Sequence, residues 1–144
     1  HPERPLLPGD AYERAKVREL VTFLEVHLEL VARRLYPEAF FGGKVSDETK
    51  EQVRKELARN VAAFGRLARF SPYVAGSEFT MADCAAIVHL PLVSGATKAI
   101  YGEDLLASLP VKEYLKQMGA RESVRQITAA RKANLEQMAQ RNKR

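Results

Sequence analysis

The sequence predicts an all-α fold of five to six helices with no sheet, and three observations carry that prediction. Apolar residues return at steps of three and four along most of the chain. No stretch alternates apolar and polar residues convincingly enough for a strand. Helix-start signatures stand at Asp10, Ser46 and Thr80. At 144 residues the length fits one domain, and no repeat of about 20–50 residues is visible.

The segment 1–9 carries three prolines and no periodicity, and reads as an extended lead-in or linker. Residues 10–144 read as the helical domain. Asp10, with Glu13 three residues on, opens a long helix. Its core face is read as Val17, Val21, Leu24, Leu28, Val31 and Leu35, with a second stripe of Leu20, Phe23, His27, Leu30 and Arg34 beside it. Pro37 and the Gly42–Gly43 pair should end it. Ser46, followed by Asp47 and Glu48, starts a second helix with Val53, Leu57, Val61, Phe64 and Leu67 facing inward. Ser71-Pro72 and Gly76 mark a loop before an apolar helix beginning at Thr80, which Pro91 should kink or end. Residues 95–109 read as a helix with an irregular approach, 111–118 as a short helix closed by Gly119, and 123–138 as the last helix.

The net charge is +5, and its placement is uneven. Residues 1–119 hold sixteen basic and sixteen acidic side chains. From Ala120 on there are Arg121, Arg125, Arg131, Lys132, Arg141, Lys143 and Arg144 against Glu122 and Glu136. Without interleaved aromatic residues for base stacking, this reads as a solvated terminal helix, and nucleic acid is not the expected partner. A single cysteine forms no internal disulfide, so nothing points to an oxidising compartment. The apolar runs fall short of the roughly 20 residues that span a bilayer, and no leader is apparent. The chain opens on His1, which suggests a piece of something longer.

The stretch GSEFTMADCAAIVHLPLV sets Asp83, Cys84 and His89 in an apolar run. A catalytic or metal reading fails on spacing. His89 lies about 140° around a helix from Cys84, and no ligand-spaced set accompanies them. A structural reading accounts for each residue. Thr80 and Asp83 form a reciprocal capping box at a helix start, with Phe79 outside and Cys84 inside packing as a staple. Cys84 is therefore expected to be buried, and His89 to line the core or a pocket. No Gly-rich phosphate loop, zinc signature or triad spacing is present.

Three stretches, in order, resemble the C-terminal domain of the glutathione S-transferases. YVAGSEFTMAD is similar to that family's capping box and staple. HPERPLLPGDAYERAKVRE looks like its interdomain linker and first helix, and LPVKEYLKQMGARESVRQI like its penultimate helix and following turn. The resemblance implies a thioredoxin-like domain, not contained in these residues, that binds glutathione and activates its thiol. It implies a cytoplasmic homodimer with glutathione as co-substrate and no metal, in which this half holds a small hydrophobic electrophile. No catalytic residue is expected here. Helical geometry nominates Phe23, His27, Leu30 and Arg34 as the electrophile wall, with His89 and Leu92 behind them. An apolar stripe around Leu20, Phe23 and Leu30 is expected to stay exposed. Late in the apolar helix, where many members carry an aromatic residue, this chain has Leu90, Pro91, Leu92 and Val93. The alternative is a non-catalytic interaction module, like the stringent starvation protein A group that contacts RNA polymerase.

Overall fold

The computed structural model describes Glu3 and residues 5–141. The chain divides into two units, His1–Val111 and Lys112–Arg144. Counting one unbroken helical run over 11–41, the described residues form five helices and no strand; Tyr73 and Gly76 make an isolated bridge.

Asp10 caps the first run: its carboxylate accepts the Glu13 N–H at 2.9 Å, and Glu13 accepts the Asp10 N–H at 2.9 Å. The run then changes pitch repeatedly. α1 (Ala11–Thr22) passes into a π turn (Phe23–Glu29), one α-turn α2 (Leu30–Ala32), a 3₁₀ turn (Arg33–Leu35) and α3 (Tyr36–Phe41). Gly42, at φ 70°, ends it in the left-handed conformation that glycine adopts without steric cost. Val17, Leu24, Leu28, Val31 and Leu35 are buried, as their spacing predicts. Leu20, expected on the exposed stripe, is buried in place of the half-buried Val21. Pro37 does not end the run. It sits in the first turn of α3, just after the 3₁₀ turn, and the Arg33 carbonyl that its missing N–H would have met accepts the Tyr36 N–H instead.

α4 (Asp47–Leu67) starts at Ser46, whose hydroxyl accepts the Thr49 N–H at 3.2 Å. It buries Val53, Leu57, Asn60, Val61 and Phe64. Lys50 ties it to α3 through Glu38 at 2.8 Å, and Arg34 reaches Glu56 at 2.7 Å. α5 (Met81–Tyr101) packs against α1, the π turn and α3, while α4 packs on the π turn and α2. The first run is thus held from both neighbours.

Pro91 lies inside α5, and the helix continues past it for ten residues to Gly102 at φ 72°. An interior proline costs about 3 kcal/mol. Here Leu90 and Val93, both fully buried, flank it and hold the helix together. By length and composition α5 is apolar enough to cross a membrane, contrary to the expectation from its apolar runs. It serves instead as a packing element, carrying the buried Asp83 at its start. In the second unit, α6 (Val111–Met118) and α7 (Glu122–Arg141) bury Tyr114, Met118 and Val124, while Arg121, Arg125 and Lys132 are exposed. Lys143 and Arg144, with His1, lie outside the described residues, as does the side chain of Arg141.

Asp104 closes the turn after α5. It accepts from Ser94 at 2.6 Å, the Leu106 N–H at 3.0 Å and Lys98 at 3.1 Å. Burial pushes its carboxyl up, but these bonds outweigh burial and hold it below its ordinary value of 3.8. A depressed carboxyl stabilises the fold above the ordinary value, and that contribution disappears as pH falls through the folded value. Asp104→Asn should therefore flatten the loss of stability on acidification, read as urea midpoints between about pH 6 and 2. An unchanged acid slope would show that this carboxylate carries no such linkage.

Candidate functional site

Two features bear on function: the outer edge of the first helical run, and the start of α5. Phe23 is half-buried, its ring 5.8 Å from Phe64 and 4.8 Å from His27. Phe64 in turn meets Phe70 edge-on at 6.1 Å. His27 is exposed, and one turn further Leu30 is 52% exposed. Val26, 44% exposed, joins them, so the run presents Phe23, Val26, His27 and Leu30 along one edge. Exposure of two aliphatic side chains a turn apart is what makes this edge a candidate surface rather than part of the core.

The other nominated residues lie further along the run or on α5. Arg34 is exposed and engaged with Glu56 of α4, so its charge is already matched. His89 and Leu92 lie on α5, both half-buried, with no hydrogen bond or ring contact to Phe23 or His27 among the described residues. The Nδ1 atom of His89 is buried and has no hydrogen-bond partner.

Sequence reasoning passed over three residues. Val26 belongs to the edge. Glu29, 3% exposed, accepts Arg33 in a bidentate pair at 3.0 and 2.9 Å and the Tyr36 hydroxyl at 3.2 Å. Asn60, 7% exposed, donates from Nδ2 to the His27 carbonyl at 2.7 Å. A polar residue one turn from Leu57 and Phe64, inside the apolar stripe of α4, was the available signal for Asn60.

At the start of α5, Asp83 is fully buried. Its Oδ2 accepts the Thr80 N–H at 2.8 Å and the Thr80 hydroxyl at 3.3 Å, and its Oδ1 accepts the Val74 N–H at 2.9 Å. The Thr80 hydroxyl oxygen accepts the Ala82 N–H at 3.2 Å. The Met81 N–H goes to the Leu6 carbonyl at 2.8 Å, fastening the lead-in to the same helix end. Every early donor of the helix is thereby satisfied. The Phe79 ring meets Tyr73 edge-on at 5.8 Å.

Cys84 departs from expectation: it is exposed. Ala82, Asp83, Ala85 and Ala86 take the inward positions, which leaves residues 81 and 84, three apart, turned outward. An exposed thiol on a helix start is accessible to solvent.

A cleft of about 450 Å³ lies between Pro8–Gly9, α1 and the segment 67–80. It includes none of the nominated wall residues. Much of its charge is internally matched: Asp10 and Glu13 serve the α1 cap, and Lys16 pairs with Glu19. Among the described residues no group of three or more His, Cys, Asp or Glu side chains is placed to hold a metal ion.

The described residues form helices with an apolar outer edge on the first run and a buried capping box at the start of α5. Residues 47–117 match the family model described as glutathione S-transferase, C-terminal domain. Over 133 residues the chain is 38% identical to a glutathione S-transferase of Pseudomonas putida, covering 92% of this chain and 60% of that relative. The chain carries a C-terminal domain of the glutathione S-transferase family.

Asp83→Ala strips the acceptor from two buried N–H groups, at a cost on the order of 2–4 kcal/mol in chemical unfolding. An unchanged midpoint would refute the role given to the carboxylate. The exposed thiol makes a second expectation. Cys84 in native protein should react with a thiol reagent at the rate of an accessible cysteine, and Cys84→Ser should shift stability by no more than about 0.5 kcal/mol. Protection until unfolding would restore the buried reading.

Proposed function

We propose that this chain is the electrophile-binding half of a glutathione S-transferase. The observation that carries the reading is the solvent-facing apolar edge of Phe23, Val26, His27 and Leu30, on a domain of that family. In this reading glutathione is held mainly by a thioredoxin-like domain of the same protein, which also lowers the pKa of its thiol. The thiolate then attacks an electrophilic carbon or a disulfide. These residues contribute orientation. A small hydrophobic electrophile loses water against Leu30 and Val26 and lies beside the Phe23–His27 pair, which holds the reacting atom near the sulfur. The Arg34–Glu56 pair keeps the flank neutral overall, suited to an uncharged ligand. The chain spans 60% of the length of its glutathione S-transferase relative, room for such a domain. The assembly proposed is a homodimer in the cytoplasm.

The test compares the chain alone with the chain joined to its upstream domain, by calorimetric titration of glutathione and by conjugation with a panel of electrophiles. The chain alone should neither bind nor conjugate, and the joined protein should do both. Leu30→Lys, at an exposed position, should leave stability unchanged and raise the electrophile KM by roughly tenfold. Micromolar glutathione binding by the chain alone would overturn the division of labour. A joined protein that binds no glutathione would favour an interaction module instead.

A further inference from the structure

The π turn Phe23–Glu29 has a cause in the sequence. Leu20, Leu24, Leu28 and Ala32, each no more than 5% exposed, follow one another at steps of four. On a regular α-helix such residues drift about 40° per step, which would leave Ala32 about 120° away from Leu20. The wider turn absorbs the drift: the Leu30 N–H bonds to the Glu25 carbonyl, five residues back. Hydrogen-bond geometry in such turns is less favourable than in an α-helix, so they occur as short insertions and need support from their surroundings.

Here the support comes from α4, at two points one helical turn apart. Phe64 stacks on Phe23, the first residue of the π turn, at 5.8 Å and 28°. Asn60 donates to the carbonyl of His27, the fifth, at 2.7 Å, a short bond for an amide donor. A buried amide among Leu57, Val61 and Phe64 would be a liability without that bond, and an aliphatic side chain would be the default there. The two groups hold the segment that bears Phe23, Val26, His27 and Leu30. If the turn tightened to α pitch, each residue beyond it would rotate by up to about 100° relative to Phe23.

We propose that Asn60 is a positioning residue: through the His27 carbonyl it keeps the π turn open and so sets the direction in which the apolar edge faces its ligand. This rests on the electrophile-wall reading, and the experiment separates the two. In the chain joined to its upstream domain, Asn60→Leu fills the space without a donor. Asn60→Asp keeps the shape but donates only when the carboxyl is protonated.

For Asn60→Leu, amide exchange over residues 23–35 should accelerate by about tenfold or more, with residues 47–59 unchanged. The electrophile KM should rise by about fivefold or more while the glutathione KM stays within about twofold. Asn60→Asp should show the same defect at neutral pH and recover towards the parent at about pH 5, each value taken relative to the parent at that pH. If Asn60→Leu does not fold, Asn60→Asp carries the test through its pH dependence. Unchanged exchange over 23–35, a parallel rise in both KM values, or an Asn60→Asp defect indifferent to pH would each overturn the proposal. A parent that conjugates no electrophile would overturn the wall reading by itself, and exchange together with its pH response in Asn60→Asp would still decide whether Asn60 holds the turn.

Discussion

One carboxylate organises the first unit. Asp83 has no exposed surface and accepts from three donors, two on its own helix end and one, the Val74 N–H, from the loop nine residues earlier. A buried carboxylate is costly in an apolar surrounding and is tolerated only when its oxygens are satisfied. Satisfying them forces three segments to coincide: the loop at Val74, the turn at Thr80 and the first turn of α5. The lead-in joins the same point through the Leu6 carbonyl and the Met81 N–H. The loop itself carries a residue in an uncommon conformation, Phe70 at φ 48°, with its ring edge-on to Phe64. A bulky residue at positive φ costs of order 1–3 kcal/mol and persists only where neighbours fix it.

From that point the candidate surface follows by packing. α5, anchored at its start, lies against α1 and the π turn, while α4 holds the same segment from Phe64 and Asn60. The core residues of the first run face inward, and its outer edge is left to Val26, His27 and Leu30. Stability and the proposed binding function therefore rest on different residues of the same helix. Leu24 and Leu28 are completely buried, whereas Leu30 is half exposed, so substitutions at the edge should act on ligand binding with little effect on folding.

What the sequence disclosed was mostly local. Capping boxes depend on residues three apart, so Asp10–Glu13 and Thr80–Asp83 could be read directly, and helical spacing identified the faces of α4 and most of α1. The family resemblance was legible for the same reason, since its motifs are short contiguous stretches. Non-local packing was not legible. The exchange of Leu20 for Val21 in the core follows from a change of helical pitch, visible afterwards in the steps of four from Leu20 to Ala32. Pro91 was expected to kink or end α5, and the helix does not end there: it runs on to Tyr101, with Leu90 and Val93 fully buried on either side of the proline. Cys84 was expected inside as the staple partner of Phe79, yet its position on the helix faces outward. The edge itself was half visible: Phe23, His27 and Leu30 came from periodicity, whereas Asn60 and Glu29 act through partners 33 and seven residues away.

The central claim is that the start of α5 and the loop at Val74 are held by one buried carboxylate and open only with the unit as a whole. Amide hydrogen exchange of Val74 and Thr80, measured residue by residue, tests it most directly. Both amides should exchange with the free energy of global unfolding, matching the slowest amides of α4 and α5 and losing protection together with them in denaturant. Exchange of either amide about a hundredfold or more faster than those helices would show that the loop opens on its own, and would contradict the account.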